Sequence, residues 1–270
     1  MVRLDKAWIV ATKDWEEIFK SKITLVSVIL PFVVPLALPL FIIILYRYFG
    51  EDIGRFISKS ELELLADVFP KLRDIDPNYA IIYLICVLVV PLLFIVFSLA
   101  SISIVTADSF AGEKERGTIE ALFATPLSDL ELFIGKLLAS FIPSILLTYS
   151  FFIITVILVN LSTLDYFGGF WYPPAEVAIA VLIIAPLYAF LGMTLVIWGS
   201  SRVSTVRDSS NYAGILVIPV LVFVIGVSVG ALVISISYLV IFSVILVIVD
   251  LLALYICYKT FDRERLMISV

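Results

Sequence analysis

Residues able to do covalent or acid-base chemistry are scarce in this chain. Histidine is absent from its 270 residues, so the commonest metal ligand and the commonest general base near neutral pH are both missing. The two cysteines, Cys86 and Cys257, sit in apolar runs, where a thiol acts as a small hydrophobe and implies neither a disulfide nor a metal pair. No GxxxxGK[ST] stretch occurs, so the chain has no phosphate-cradling loop of its own, and any ATP must be handled by another polypeptide. What remains is one charged stretch, residues 108–136 (DSFAGEKERGTIEALFATPLSDLELFIGK), and one isolated acid, Asp250, in the apolar run VDLLAL.

The chemistry of the charged stretch is that of docking. Thr118 can cap a short helix whose Glu120 favours the positive N-terminal end, and Ile119, Leu122 and Phe123 then share one face. Pro126 stops that helix. Ser128 and Glu131 stand at the N-cap and N3 positions of a capping box that starts the next helix. A rigid helix, a proline break and a new helix suit a surface that sits against another protein or lies on lipid. Asp250 poses a different question, because an ionisable side chain inside a span is costly unless it faces protein or water. Its two readings are a structural acid, hydrated near the interface or paired with Lys259 or a neighbouring helix, and a member of a substrate path.

The elements that carry these residues are membrane spans. The chain is 62% hydrophobic, and its uncharged windows exceed what one soluble core could hide. A span needs roughly 20 apolar residues, and the qualifying runs predict six spans at about 23–46, 80–107, 132–161, 177–198, 212–230 and 237–258. The last two come from one tract, 212–258, too long for a single crossing and expected to reverse near residues 226–237, where Gly and Ser concentrate. The expected fold class is therefore an all-α integral membrane domain over 1–270. Residues 1–22 form an interfacial helix with Trp8, Ile9, Trp15, Ile18 and Phe19 among charges, in contact with membrane lipid. Acids at Asp5, Asp14, Glu16 and Glu17 give it no signal-peptide character.

Loop charge sets the expected orientation. With the N-terminus inside, thirteen Lys and Arg fall in inside segments and five in outside ones, so both termini are expected in the cytoplasm of a plasma-membrane protein. The net charge of −5 argues against nucleic acid. The outside loop 47–79 carries a further capping box at Ser60–Glu63, ahead of Pro70, and predicts one or two short helices. The second outside loop, with Phe167, Phe170, Trp171 and Tyr172, reads as an aromatic interfacial belt. Prolines inside the spans, Pro31, Pro35, Pro39, Pro91, Pro143, Pro186 and Pro219, remove backbone donors and can bend their helices.

The string Glu113, Lys114, Glu115, Arg116, Gly117, Thr118, Ile119, Glu120, Ala121, Leu122, then Ala124 to Ser128, and later Gly135 and Lys136, resembles the signature of ABC-2-type transporter permeases. The span count, the N-terminal helix and the closing Phe261 to Leu266 are similar to that family as well. The resemblance implies that residues 108–131 form the coupling loop, a helix between spans two and three that docks on an ATP-binding subunit. The residues it implicates are Glu113, Glu115, Arg116, Gly117, Thr118, Ile119, Glu120, Leu122, Phe123 and Pro126. It implies two copies of a separate ATP-binding subunit, which hold ATP and Mg, with no cofactor on this chain, and a second copy of the permease or a paralogue. An exporter subunit working by alternating access follows from it. A secondary transporter would need repeated halves or several intramembrane polar groups, and an intramembrane enzyme would need a nucleophile whose base is not histidine.

Overall fold

The computed structural model describes residues 4–53, 66, 69–118, 127–200, 202–203, 205–228 and 236–260. All regular structure in these residues is helical: α1 (Leu4–Lys20), α2 (Lys22–Ile53, broken at Phe49), α3 (Ala80–Glu115), α4 (Asp129–Phe167), α5 (Ala175–Ser200), α6 (Val217–Ser228) and α7 (Ile236–Thr260), with short 3₁₀ and α turns between them. Helices are what an apolar chain must form in lipid, because every backbone N–H and C=O has to be bonded internally. Five of them, Lys22–Gly50, Ala80–Glu115, Asp129–Phe167, Ala175–Ser200 and Ile236–Lys259, are long and apolar enough to cross a membrane.

The expected span at 212–230 is a 3₁₀ turn, Tyr212–Leu216, followed by the twelve residues of α6, which by themselves fall short of the roughly 20 that a crossing requires. Pro219 cannot donate to the Ile215 carbonyl, so an α-helix is weakened where this segment starts. The expected helices around Ser60 and the closing Phe261 to Leu266 lie outside the described residues; the described part of the first long loop holds the 3₁₀ turns Pro70–Asp74 and Pro77–Tyr79.

At 36 and 39 residues, α3 and α4 are ~54 and ~58 Å long, well beyond a ~30 Å hydrocarbon core, so part of each stands clear of it. α3 runs past Ala107, where hydropathy falls, to Glu115, and the loop proper begins only at Arg116. Along the first turns of α4 lies α1, with Lys6 4.0 Å from Glu131, and Ala7 and Val10 against Gly135. A Cβ on Gly135 would sit 2.7 Å from the Ala7 carbonyl oxygen and from Val10 Cβ, so only glycine permits this approach. The inward stripe of α1 is Ala7, Val10, Ala11, Asp14 and Ile18, while Trp8, Ile9 and Phe19 point out, as a helix lying at a membrane surface requires.

The prolines do more than bend helices. Pro143 has no N–H for the Ala139 carbonyl, and Trp15 Nε1 of α1 donates to that oxygen at 3.0 Å. Pro186 likewise leaves the Leu182 carbonyl, which accepts from the Tyr149 hydroxyl of α4 at 2.8 Å. Widened π turns at Ile85–Val89 and Ala180–Ile184 sit just ahead of Pro91 and Pro186, where a proline ring would otherwise meet the carbonyl below it. On α2, Pro35 and Pro39 are buried on the stripe of Val28, Phe32 and Ile43.

At the end of the bundle opposite α1, the aromatic loop after α4 is pinned by Asn160. Its amide donates to the carbonyls of Val156 (2.8 Å) and Tyr172 (2.5 Å), and its oxygen accepts from the backbone N–H groups of Trp171 (3.0 Å) and Tyr172 (3.1 Å). That satisfies the full capacity of the side chain. Trp171 also donates to Thr163 Oγ1 and stacks on Phe167 and Tyr83. Trp171 and Tyr172 thus face inward as a plug of the loop, and Phe170, 79% exposed, is the residue of this group placed as a belt residue would be. Replacing Asn160 with Leu strands two buried N–H groups and a carbonyl at about 1–3 kcal/mol each. The expected result is a lower thermal midpoint in detergent and faster chymotryptic cleavage at Phe170; a variant that matches the wild type on both counts shows that the loop is held by its rings alone.

Candidate coupling site at the end of α3

The last turns of α3 carry Ser109, Glu113, Lys114, Glu115 and Arg116, and consecutive side chains lead to different elements. Glu113 is 4% exposed. Its Oε2 lies 2.9 Å from Lys136 Nζ of α4, and its Oε1 lies 3.5 Å from Lys13 Nζ of α1. Lys136, 2% exposed, is also 3.8 Å from Asp14 Oδ2 and donates to the carbonyl oxygen of Ser109, while Ser109 Oγ donates to Asp14 Oδ2 at 2.6 Å. The Lys136 ammonium stands 5.1 Å from the centre of the Phe110 ring. Two cations and two buried anions therefore form a cluster that joins α1, α3 and α4, with the half-exposed Glu17 also 3.4 Å from Lys13. Partial burial opposes the charge on Lys13, yet Glu113, Glu17 and Asp14 together hold its ammonium above the ordinary lysine value.

Lys114 donates to the carbonyl of Ser200 at 2.8 Å, a cation on an orphan C-terminal acceptor of α5. Glu115 Oε2 accepts from the Val206 N–H at 3.1 Å, at the start of the short helix Val206–Asn211, whose N-cap is Thr205. Arg116 folds back on its own helix, with Nη1 2.8 Å from Asp108 Oδ1. Gly117, at φ +68°, then ends α3: Gly117 N–H bonds to the Lys114 carbonyl (3.0 Å) and Thr118 N–H to the Glu113 carbonyl (2.9 Å), the paired closure that favours glycine at this position.

Of the residues expected to couple to a partner, Glu113, Glu115 and Arg116 thus have partners within the chain. Gly117 and Thr118 form the exit of the helix, with the Thr118 hydroxyl bonded back to the Glu113 carbonyl at 3.3 Å. Ile119, Glu120, Leu122, Phe123 and Pro126 lie outside the described residues. Beyond them the expected capping box is present in both halves: Ser128 Oγ accepts from Glu131 N–H, and Glu131 Oε2 accepts from Ser128 N–H.

Asp250 is placed apart, on α7, 4% exposed on the stripe Leu239, Ser243, Leu246 and Cys257, and neither carboxylate oxygen has a hydrogen-bond partner among the described residues. Pairing with Lys259 along α7 is not realised; nine residues on, that lysine is ~13 Å away and on the opposite face. Among the described residues no group of side chains has the makings of a metal site.

Asp14 was the participant least legible in the sequence. Its signal is that it interrupts an otherwise apolar stripe, Ala7, Val10, Ala11 and Ile18, at helical spacing, which demands a buried counter-charge.

A bundle of long apolar helices, five of them able to cross a membrane, defines a multi-pass membrane protein. The sequence profile of the ABC-2 family transporter proteins matches residues 8–244, and the chain belongs to that family. This is a family of permeases without a nucleotide-binding domain of their own, which implies an ATP-binding partner subunit. Neither a curated protein nor a solved structure gives a match.

Lys136→Met leaves two buried carboxylates facing the half-exposed Lys13 alone, and is expected to cost about 3–5 kcal/mol. Adding Glu113→Gln restores the wild-type net charge of the cluster, so the double variant should recover most of the lost thermal midpoint. A double variant no more stable than the single one would show that charge balance is not what holds the three helices.

Proposed function

We propose that this chain is the permease subunit of an ATP-driven exporter in the plasma membrane, paired with a second copy or a paralogue and with two ATP-binding subunits. In this reading residues 118–126, with Ile119, Leu122 and Phe123 as the apolar face and Glu120 and Pro126 as its bounds, form the coupling helix that contacts the ATP-binding subunit. Residues 113–117 are its base. The observation that supports the reading is the fan of bonds at that base: Glu113 to α1 and α4, Lys114 to α5, Glu115 to the segment that begins at Val206. A push on 118–126 thereby reaches four elements at once.

ATP-dependent closure of the partner subunits then alternates the bundle between inward-open and outward-open forms. Such a cycle works only if the path binds substrate differently in the two forms, since a ligand shifts an equilibrium by its differential affinity alone. The sixth crossing is supplied by the segment that contains α6, and both termini lie in the cytoplasm with the coupling helix.

Leu122→Asp combined with Phe123→Asp should leave the permease inserted and folded while removing most of its capture of the ATP-binding subunit, because the docking face loses its apolar anchors. Equal co-purification and equal transport would refute the assignment. In a variant without Cys86 and Cys257, a single cysteine at Phe170 should react with an impermeant thiol reagent from outside sealed cells, and one at Ser128 should react only after lysis. Reversed labelling would overturn the orientation.

A further inference from the structure

The unbonded carboxylate of Asp250 is the one buried charge that the bundle leaves unanswered among the described residues. The faces of α7 away from its packed stripe are open, with Phe242, Ile245, Ile248, Leu251, Leu252 and Tyr255 exposed. Along that stripe, Leu239 and Leu246 belong to the apolar cluster of Ala185 and Tyr188 of α5, and Leu254 and Cys257 to the cluster of Ala189, Met193 and Ile197. Asp250 falls between the two clusters, in apolar surroundings. The hydroxyls of Tyr188 in the first cluster and of Ser243 on the same stripe are engaged with the backbone carbonyls of Leu216 and Leu239.

Nor does a cation pair with it among the described residues. The lysines at the ends of α3 and α4, Lys114 and Lys136, are bonded to Ser200 and to Glu113. A second copy of the same chain would bring the same α7, whose lone lysine is Lys259 near its end and which carries no arginine. An uncompensated carboxylate is expensive in such a place, and a positive charge arriving from elsewhere would offset that cost.

Building on the permease reading above, we propose that Asp250 is the counter-charge of a substrate site between α7 and α5, and that the substrate is a lipophilic organic monocation, an amine or onium carried on an apolar body. The donor set decides the class. A small inorganic cation needs several oxygen ligands, whereas this site offers one carboxylate. Walls of Leu246, Leu254, Ala189 and Met193 match a cation whose charge is dispersed and whose body is apolar. Entry is from the bilayer, past the open faces of α7.

The test is binding of tetraphenylphosphonium to the purified full-length permease, with tetraphenylborate as an anion of nearly the same size and shape. The wild type should bind the phosphonium saturably and the borate only by partition. Asp250→Asn should weaken phosphonium binding by roughly tenfold or more, and Asp250→Glu should stay within a few-fold of wild type. Asp250→Leu should fold and melt at or above the wild-type midpoint, because it removes a buried charge that makes no bond. Equal binding by wild type and Asp250→Asn overturns the proposal, as does equal saturable binding of both ions. Failure of both Asp250→Asn and Asp250→Leu to fold also overturns it, since the carboxylate would then be a structural group. Binding to the permease alone needs no ATP-binding subunit, so this result stands or falls separately from the coupling assignment.

Discussion

The ionic cluster of Lys13, Asp14, Glu113 and Lys136 is the constraint around which the rest of this bundle is arranged. A buried ion pair contributes little net stability, because desolvating the charges offsets most of their attraction; removing one member is what is costly. Its value lies in register. Asp14 meets Lys136 only when α1 lies along α4 with Val10 against Gly135 and Trp15 at the Ala139 carbonyl. A displacement of α1 by one turn would cost the ion contact, the glycine fit and the indole bond together. The three contacts therefore behave as one switchable or rigid unit, never as three adjustable ones.

Away from that cluster the helices are held by devices suited to lipid, where burying an apolar side chain gains little over leaving it among acyl chains. Donors from one helix reach carbonyls that a proline has freed on the next, as Trp15 does at Ala139 and Tyr149 at Leu182. Asn160 spends its whole hydrogen-bonding capacity on one loop. Each device gives a directed bond in a medium without competing water. Prolines that read in the sequence as places to bend thus serve also as acceptors, and at Pro143 and Pro186 the acceptor ties the helix to a neighbour.

What the sequence made legible follows from the range of the interactions involved. Local signals survived intact: the apolar runs of the five crossing helices, and the Ser128 to Glu131 capping box, whose bonds join residues three apart. The inward turn of Glu113 was hidden, because its partners lie 100 residues upstream at Lys13 and beyond the loop at Lys136. For the same reason the charged turns after Asp108 looked like loop, although they are helix: their charges are neutralised by other elements and by the Asp108–Arg116 pair. Asn160 was concealed by the apolar run around it, since a single amide hardly alters hydropathy.

These constraints divide the bundle unequally. At the end of α3, ionic and hydrogen bonds leave α1, α3, α4 and α5 little freedom to move separately. α7 is joined to α5 mainly through apolar side chains, which slide more readily than directed bonds because dispersion varies slowly along a smooth surface. The one charged group on its packed stripe forms no bond that would resist such sliding. In the coupling reading proposed above, a movement received at the end of α3 is carried through the tethered helices and is accommodated where α7 meets α5. That junction is where Asp250 lies, so an interface held mainly by apolar contacts is also the one with an unanswered charge among the described residues.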